Sequence, residues 1–225
     1  MKNIFEKIKY YFETKRLFKG LDLNHTNFAI LDTETTGLDV RNEKIISLAS
    51  LKIKQLQIKE TEFINFLVNP EKNIPDSSIE IHKIKNEDVN DKPTFLSKSK
   101  EVLMFLKKNI LVGHNINFDI NFIKKDARGT KLEARMKVIK SVDTIHLAAA
   151  LFPDLKSYEL SHLCEKFNIK KDDQIRHSAL GDCWLTGRLF LYLIEHAKNQ
   201  GVQNVNQLLN LCEQGKNIKI FSNVH

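Results

Sequence analysis

Asp32 and Glu34, then Asp119, then His177 and Asp182 form an ordered series of four acids and one imidazole. Side chains two apart on a strand face the same way. Asp32 and Glu34 therefore project together from Phe28-Ala-Ile-Leu-Asp-Thr-Glu-Thr-Thr-Gly-Leu38, with Thr33 pointing away. Gly37 permits a tight turn where that strand ends, and open α/β sheets bind ligands at the C-terminal ends of their strands. Asp119 follows Gly113-His114-Asn115 and falls in the first turn of a helix, where the helix dipole favours an acid. His177 sits just before a helix that Ser178 can cap and that carries Asp182 in its first turn. Each residue alone has a plain structural reading as a solvated acid, a turn residue or a first-turn carboxylate. Clustered carboxylates repel one another, however, and a fold tolerates them mainly when hard divalent cations lie between them.

Buried strands and flanking helices must position these groups. The apolar run 28–32 reads as a strand covered on both faces. Residues 45–58 and 61–68 read as two more strands, joined closely enough to pair antiparallel. Short strands follow at 110–113 and 141–143. Helices are expected at 77–82, 95–108, from 117 or 118 to about 125, at 144–151, 158–167 and 178–199, with Gly201 suited to cap the last of these. Three strands followed by alternating helices and strands indicate an α/β sheet covered on both faces. Residues 1–20 read as a basic amphipathic helix appended to a domain over 26–200. Residues 201–225 read as a further short helix ending near Gly215, then a tail.

The 225 residues suit one domain of moderate size with an appendage. No apolar run approaches the roughly 18 residues of a membrane span, and the N-terminus shows no secretory signal, so a cytoplasmic protein without membrane contact is expected. Cys164, Cys183 and Cys212 are widely spaced, which fits buried reduced thiols better than zinc or disulfides. No HExxH pattern supports a zinc hydrolase. The net charge of +7 suits a polyanionic partner but also many proteins without one. Residues 124–140 hold seven Lys/Arg against two acids, which fits either a guide for a phosphate backbone or a solvated face. Gln207-Leu-Leu-Asn-Leu211 loosely resembles a sliding-clamp-binding peptide, a string amphipathic helices produce routinely, so a clamp partner is not expected.

The three acidic segments together resemble the exonuclease motifs of the DEDDh family of 3′–5′ exonucleases. The nearest likeness is to the proofreading (epsilon) subunits of bacterial DNA polymerase III and their free-standing relatives. Leu67-Val-Asn-Pro70, Ile81-His82-Lys-Ile84, Asp143-Thr-Ile-His-Leu147 and Ser157-Tyr-Glu-Leu160 agree with it, and the likeness covers about residues 26–198. Lys83 departs from the glycine the family usually carries there. The resemblance implies a ribonuclease H-like fold, with a mixed five-stranded sheet, one strand antiparallel, and helices on both faces. It also implies hydrolysis with two divalent cations, Mg²⁺ with Mn²⁺ able to substitute. Asp32, Glu34 and Asp182 would hold one cation, Asp119 with bridging Asp32 the other, and His177 would be the base. Thr35, Thr36, Gly37, Leu38, His82, Asn115 and Phe118 would line the terminal nucleotide. The implied substrate is a single-stranded or frayed 3′ end, with the Asp-Thr-Glu-Thr-Thr-Gly form leaning toward DNA over RNA and a polymerase subunit as one partner. The competing readings are an RNA-directed exonuclease and a non-catalytic binding module that keeps the fold.

Overall fold

The computed structural model describes residues 20–170 and 178–218, together with residues 8, 10 and 12. Five strands form one mixed sheet: β1 (Phe28–Thr35), β2 (Ile45–Lys54), β3 (Gln57–Leu67), β4 (Ile110–Gly113) and β5 (Ser141–Asp143), in the spatial order β3-β2-β1-β4-β5. The β1–β4 and β4–β5 ladders are parallel, and both antiparallel ladders involve β2. β1 is thus the central strand, apolar on both faces through residues 28–31 as a doubly covered strand must be.

The alternation of β1 divides the core in two. Phe28 and Ile30 pack with α6 (Thr144–Leu151), α7 (Leu160–Lys166), α8 (Ala179–Asn199) and α9 (Val205–Lys216). Ala29 and Leu31 pack with α3 (Phe95–Leu106), α4 (Ile116–Asp126) and α5 (Lys131–Met136) on the other face. A small third cluster, Ile46, Ile74 and Val89, sits under α1 (Asp76–His82) and α2 (Asn86–Val89). Ile46 reaches it because the β1–β2 register shifts between Glu34 and Thr35, a bulge that ends the ladder as the acids project.

The boundary between β2 and β3 differs from the sequence reading for a local reason. The β2–β3 hairpin turns at Gln55-Leu56, both at positive φ (54° and 53°). This two-residue turn lacks the Asn or Gly that would signal it, so β2 is shorter and β3 longer than expected. α9 runs through Gly215, where a Cβ would stand 1.8 Å from the His146 carbonyl oxygen. α9 ends one residue later, at Lys216, near the end expected, and Gly215 also serves close approach to α6. Gly201, by contrast, takes φ +89° just after α8. Leu208 is fully buried in α9, and the Gln207 side chain caps the same helix by accepting from Gln203 and Asn204 N–H, so the Gln207–Leu211 string is helix packed on the domain.

Residues 21–23 are clasped to residues 203–205. Leu23 N–H donates to the Gln203 carbonyl at 3.1 Å and Val205 N–H to the Leu21 carbonyl at 3.0 Å. The helix expected over 1–20 and the tail end over 219–225 lie outside the described residues, apart from 8, 10, 12 and 20. Tyr10 stands 5.9 Å from the buried Arg135 guanidinium. No helix among the described residues is long and apolar enough to cross a membrane. The three cysteines are buried and form no disulfide.

Candidate active site

Asp32 and Glu34 share the strand face of Phe28 and Ile30, and that face is covered by α8. Ser178 caps α8 by accepting from Gly181 N–H at 3.1 Å, which sets Asp182 in its first turn. Ligand oxygens of Asp32, Glu34 and Asp182 then lie within 4.8 Å of one another. Asp119 arrives from the opposite face, in the first turn of α4, and is 3% exposed. The four acids therefore meet over the C-terminal edge of the sheet, three from one side and one from the other.

Their electrostatics are unfavourable in the protein alone. Burial, then the charges of Asp119, Glu34 and Asp182, hold Asp32 well above the usual carboxylate range. Burial and Asp182 push Glu34 up to about 7. Burial likewise pushes Asp119 to about 7, against the opposing effect of a hydrogen bond from Thr33. Among the described residues no lysine or arginine is paired with Asp32, Glu34 or Asp119. Convergent oxygen donors whose charges oppose one another suit hard divalent cations. His177 lies outside the described residues.

The expected substrate residues differ in what they leave free. Leu38 is 74% exposed at the mouth of the site. Thr36 is buried and spends every polar group internally. Its N–H donates to the Lys44 carbonyl, its carbonyl accepts from Ser78 Oγ at 2.9 Å, and its hydroxyl accepts from Lys44 N–H at 2.9 Å while donating to Glu43. Thr35 Oγ1 donates to the Gly37 carbonyl at 2.7 Å. Gly37 makes room for Glu43, since a Cβ there would stand 2.9 Å from Glu43 Cγ. These residues build the loop that presents Leu38. Glu43 also accepts from Lys72 Nζ at 2.8 Å, and Asp126, at the far end of α4, accepts from Ile45 N–H at 2.9 Å.

His82 is buried. Its Nδ1 accepts from Ile84 N–H at 3.0 Å, so a neutral ring carries its proton on Nε2, which is buried without a hydrogen bond of good geometry. Burial pushes its pKa down, with the Thr35 carbonyl opposing. His114, pushed by burial to about 4, is also neutral at physiological pH. Asn115 keeps an exposed side chain while its backbone, left-handed at φ 62°, donates N–H to Asp143 Oδ1 at 3.1 Å. Phe118 packs on Phe122, ring centroids 4.8 Å apart. Of the basic stretch 124–140, Arg135 is buried, Lys125 donates to the Glu43 carbonyl and Lys137 pairs with Glu133. It offers less free charge than its composition promised.

Sequence reasoning passed over Thr33, Glu43 and Asp143. Thr33 reads as an ordinary β-branched strand residue, and Glu43 as one charge in a polar loop. Asp143 had a visible signal, an acid directly before a helix, where an N-cap is expected. It accepts from Ile145 N–H at 3.0 Å as well as from Asn115.

The sequence model of the family described as Exonuclease matches residues 29–190. The chain is 30% identical over 208 residues to a protein named DNA polymerase III subunit epsilon from Buchnera aphidicola subsp. Acyrthosiphon pisum (strain APS), covering 89% of this chain and 87% of that one. It is 34% identical over 181 residues to a PolC-type DNA polymerase III from Caldanaerobacter subterraneus subsp. tengcongensis, covering 80% of this chain but 12% of that one. It is 30% identical over 192 residues to the 3′–5′ exonuclease DinG of Bacillus subtilis (strain 168), covering 85% of this chain and 20% of that one. The chain thus spans most of the Buchnera relative but only a small fraction of the other two. The nuclease domain of 3′hExo, described as a DEDDh family member bound to rAMP, shares the fold at 17% identity. Its TM-score is 0.65, over 78% of this chain and 94% of that one.

Proposed function

Since the chain belongs to the exonuclease family and carries its 3′–5′ exonuclease domain, we propose that it removes nucleotides from the 3′ end of a DNA strand by metal-dependent hydrolysis, releasing nucleoside 5′-monophosphates. The observation that carries this reading is the convergence of Asp32, Glu34 and Asp182 within 4.8 Å, with buried Asp119 facing them across the sheet edge. Asp32, Glu34 and Asp182 would hold one divalent cation, and Asp119 with Asp32 a second; Mg²⁺ fits these donors and Mn²⁺ substitutes. Two such ions, when bound, neutralise charge on the attacking and leaving oxygens of an in-line displacement.

The protein's own groups do the rest. His177 accepts the proton of the attacking water. The Thr35–Leu38 backbone lies along the terminal nucleotide, with Leu38 against its base. His82, a neutral ring, would act as an N–H donor rather than as a cation. Asn115 and Phe118 line the side nearest Asp119. DNA is favoured by the polymerase-subunit relatives, whose names also make a polymerase a candidate partner.

The test is degradation of 5′-labelled single strands of DNA and RNA, with free or blocked 3′ ends, in Mg²⁺ or Mn²⁺. Stepwise shortening of free-ended DNA, lost in Asp32→Asn and with a 3′ block, is expected. Activity retained in Asp32→Asn would defeat the mechanism, and shortening of RNA alone would replace the substrate.

A further inference from the structure

We propose that Thr33 is a positioning residue for Asp119, holding that carboxylate in the orientation its cation requires. This rests on the reading of Asp119 as a ligand given above. Strand alternation turns Thr33 away from Asp32 and Glu34, toward α4. There it is 7% exposed, and its hydroxyl donates to Asp119 Oδ1 at 2.7 Å. The bond joins the central strand to a side chain 86 residues further along, where the acid from the second face meets the acids of the first. A hydroxyl–carboxylate bond this short is charge-assisted. With Oδ1 fixed, the plane of the carboxylate is fixed too.

Strand formation does not require this hydroxyl. Valine has nearly the same shape, the same β-branch and a stronger preference for a buried strand. The neighbours on the same face, Ala29 and Leu31, are purely apolar. A metal-binding carboxylate needs this service, because it must keep its aim.

The experiment compares wild type, Thr33→Val, Thr33→Ser and Asp119→Asn. Each is titrated with Mn²⁺ alone, reading free ion by electron paramagnetic resonance, and then assayed for the Mn²⁺ dependence of DNA shortening. Thr33→Val should weaken one Mn²⁺ site by about tenfold, within the range that partners of metal ligands contribute, and leave the other site unchanged. Thr33→Ser should stay within about twofold of wild type, and Asp119→Asn should lose the same site that Thr33→Val weakens. Circular dichroism melts confirm that valine, and a parallel Thr33→Ala, leave the fold intact. Wild-type affinity at both sites in Thr33→Val overturns the proposal, as does a Thr33→Ser defect equal to that of valine. If Asp119→Asn keeps both sites at full affinity, the reading of Asp119 as a ligand fails instead, and the role of Thr33 falls with it.

Discussion

Without its cations the protein should lose stability as pH rises, the reverse of a fold held by carboxylate salt bridges. Glu34 carries the argument. Its carboxyl is pushed from 4.5 to about 7 by burial and by Asp182. A raised folded pKa leaves stability intact below the unfolded value and drains it as pH climbs through the folded one. The loss therefore develops between about pH 4.5 and 7 and is complete above that. Each tenfold change in proton affinity is 1.36 kcal/mol, so ionising Glu34 in the fold costs about 3 kcal/mol. Asp32 and Asp119 share the same field, so the three costs overlap rather than add. For a chain of this size 1 kcal/mol moves the midpoint by about 2–4 °C, which predicts a fall of roughly 10 °C from pH 5 to pH 8. The assay is thermal unfolding by circular dichroism in EDTA at half-unit pH steps, repeated with Mn²⁺ in place of EDTA. Cation at a hundred times its Kd returns about 2.7 kcal/mol, so most of the fall should disappear. Glu34→Gln should flatten the EDTA curve. A midpoint that holds or rises from pH 5 to 8 in EDTA would refute the reasoning, as would a fall undiminished in Glu34→Gln.

Lys83 takes φ 62° as the left-handed cap of α1, so Lys83→Gly should raise stability by about 0.5–1 kcal/mol, visible as a shift of a few degrees in the melting midpoint. Gly215→Ala places a methyl 1.8 Å from the His146 carbonyl oxygen; α9 must retreat, and a loss of about 3 kcal/mol or more in urea unfolding is expected. Gly113→Ala puts a Cβ 2.6 Å from Ile116 Cδ1 and 3.1 Å from the Leu31 carbonyl oxygen. It should displace the start of α4 and with it Asp119, lowering kcat by at least tenfold while the melting midpoint falls. His177→Ala should lower kcat far more than it changes KM, because a base acts in the chemical step.

The acids were legible because strand parity and helix first turns are written in short stretches of sequence. Asp32 and Glu34 needed only the alternation of β1, and Asp182 only the cap at Ser178. The short strands at 110–113 and 141–143 and the helix at 144–151 were legible for the same reason, since apolar runs and capping residues bound them locally. What stayed hidden depends on contacts between distant segments. The grip of Thr33 on Asp119 joins residues 86 apart, and nothing in Thr33 itself separates a hydroxyl that works from one that merely sits in a strand. The internal bonding of Thr36, which lies beside the acids, was equally hidden. Its partners, Glu43, Lys44 and Ser78, are supplied by the loop before β2 and by α1, which only the fold brings near. The Gln55-Leu56 turn was invisible because its residues contradict its backbone; Leu56 instead packs against the core on the α8 face. Gly215 signalled the nearby helix end but not its second role, which is to let two helices touch.

The clasp between residues 21–23 and 203–205 bears on the order in which the chain folds. It closes a loop of roughly 180 residues, which from a disordered chain costs about 4–5 kcal/mol in entropy. Its two backbone hydrogen bonds return about 1 kcal/mol each. Such a clasp is out of reach until β1, β4 and the helices between them have brought the segments together. It is therefore among the last contacts to form, and protection of the Leu23 and Val205 amides in pulse-labelled refolding marks the moment the domain is complete.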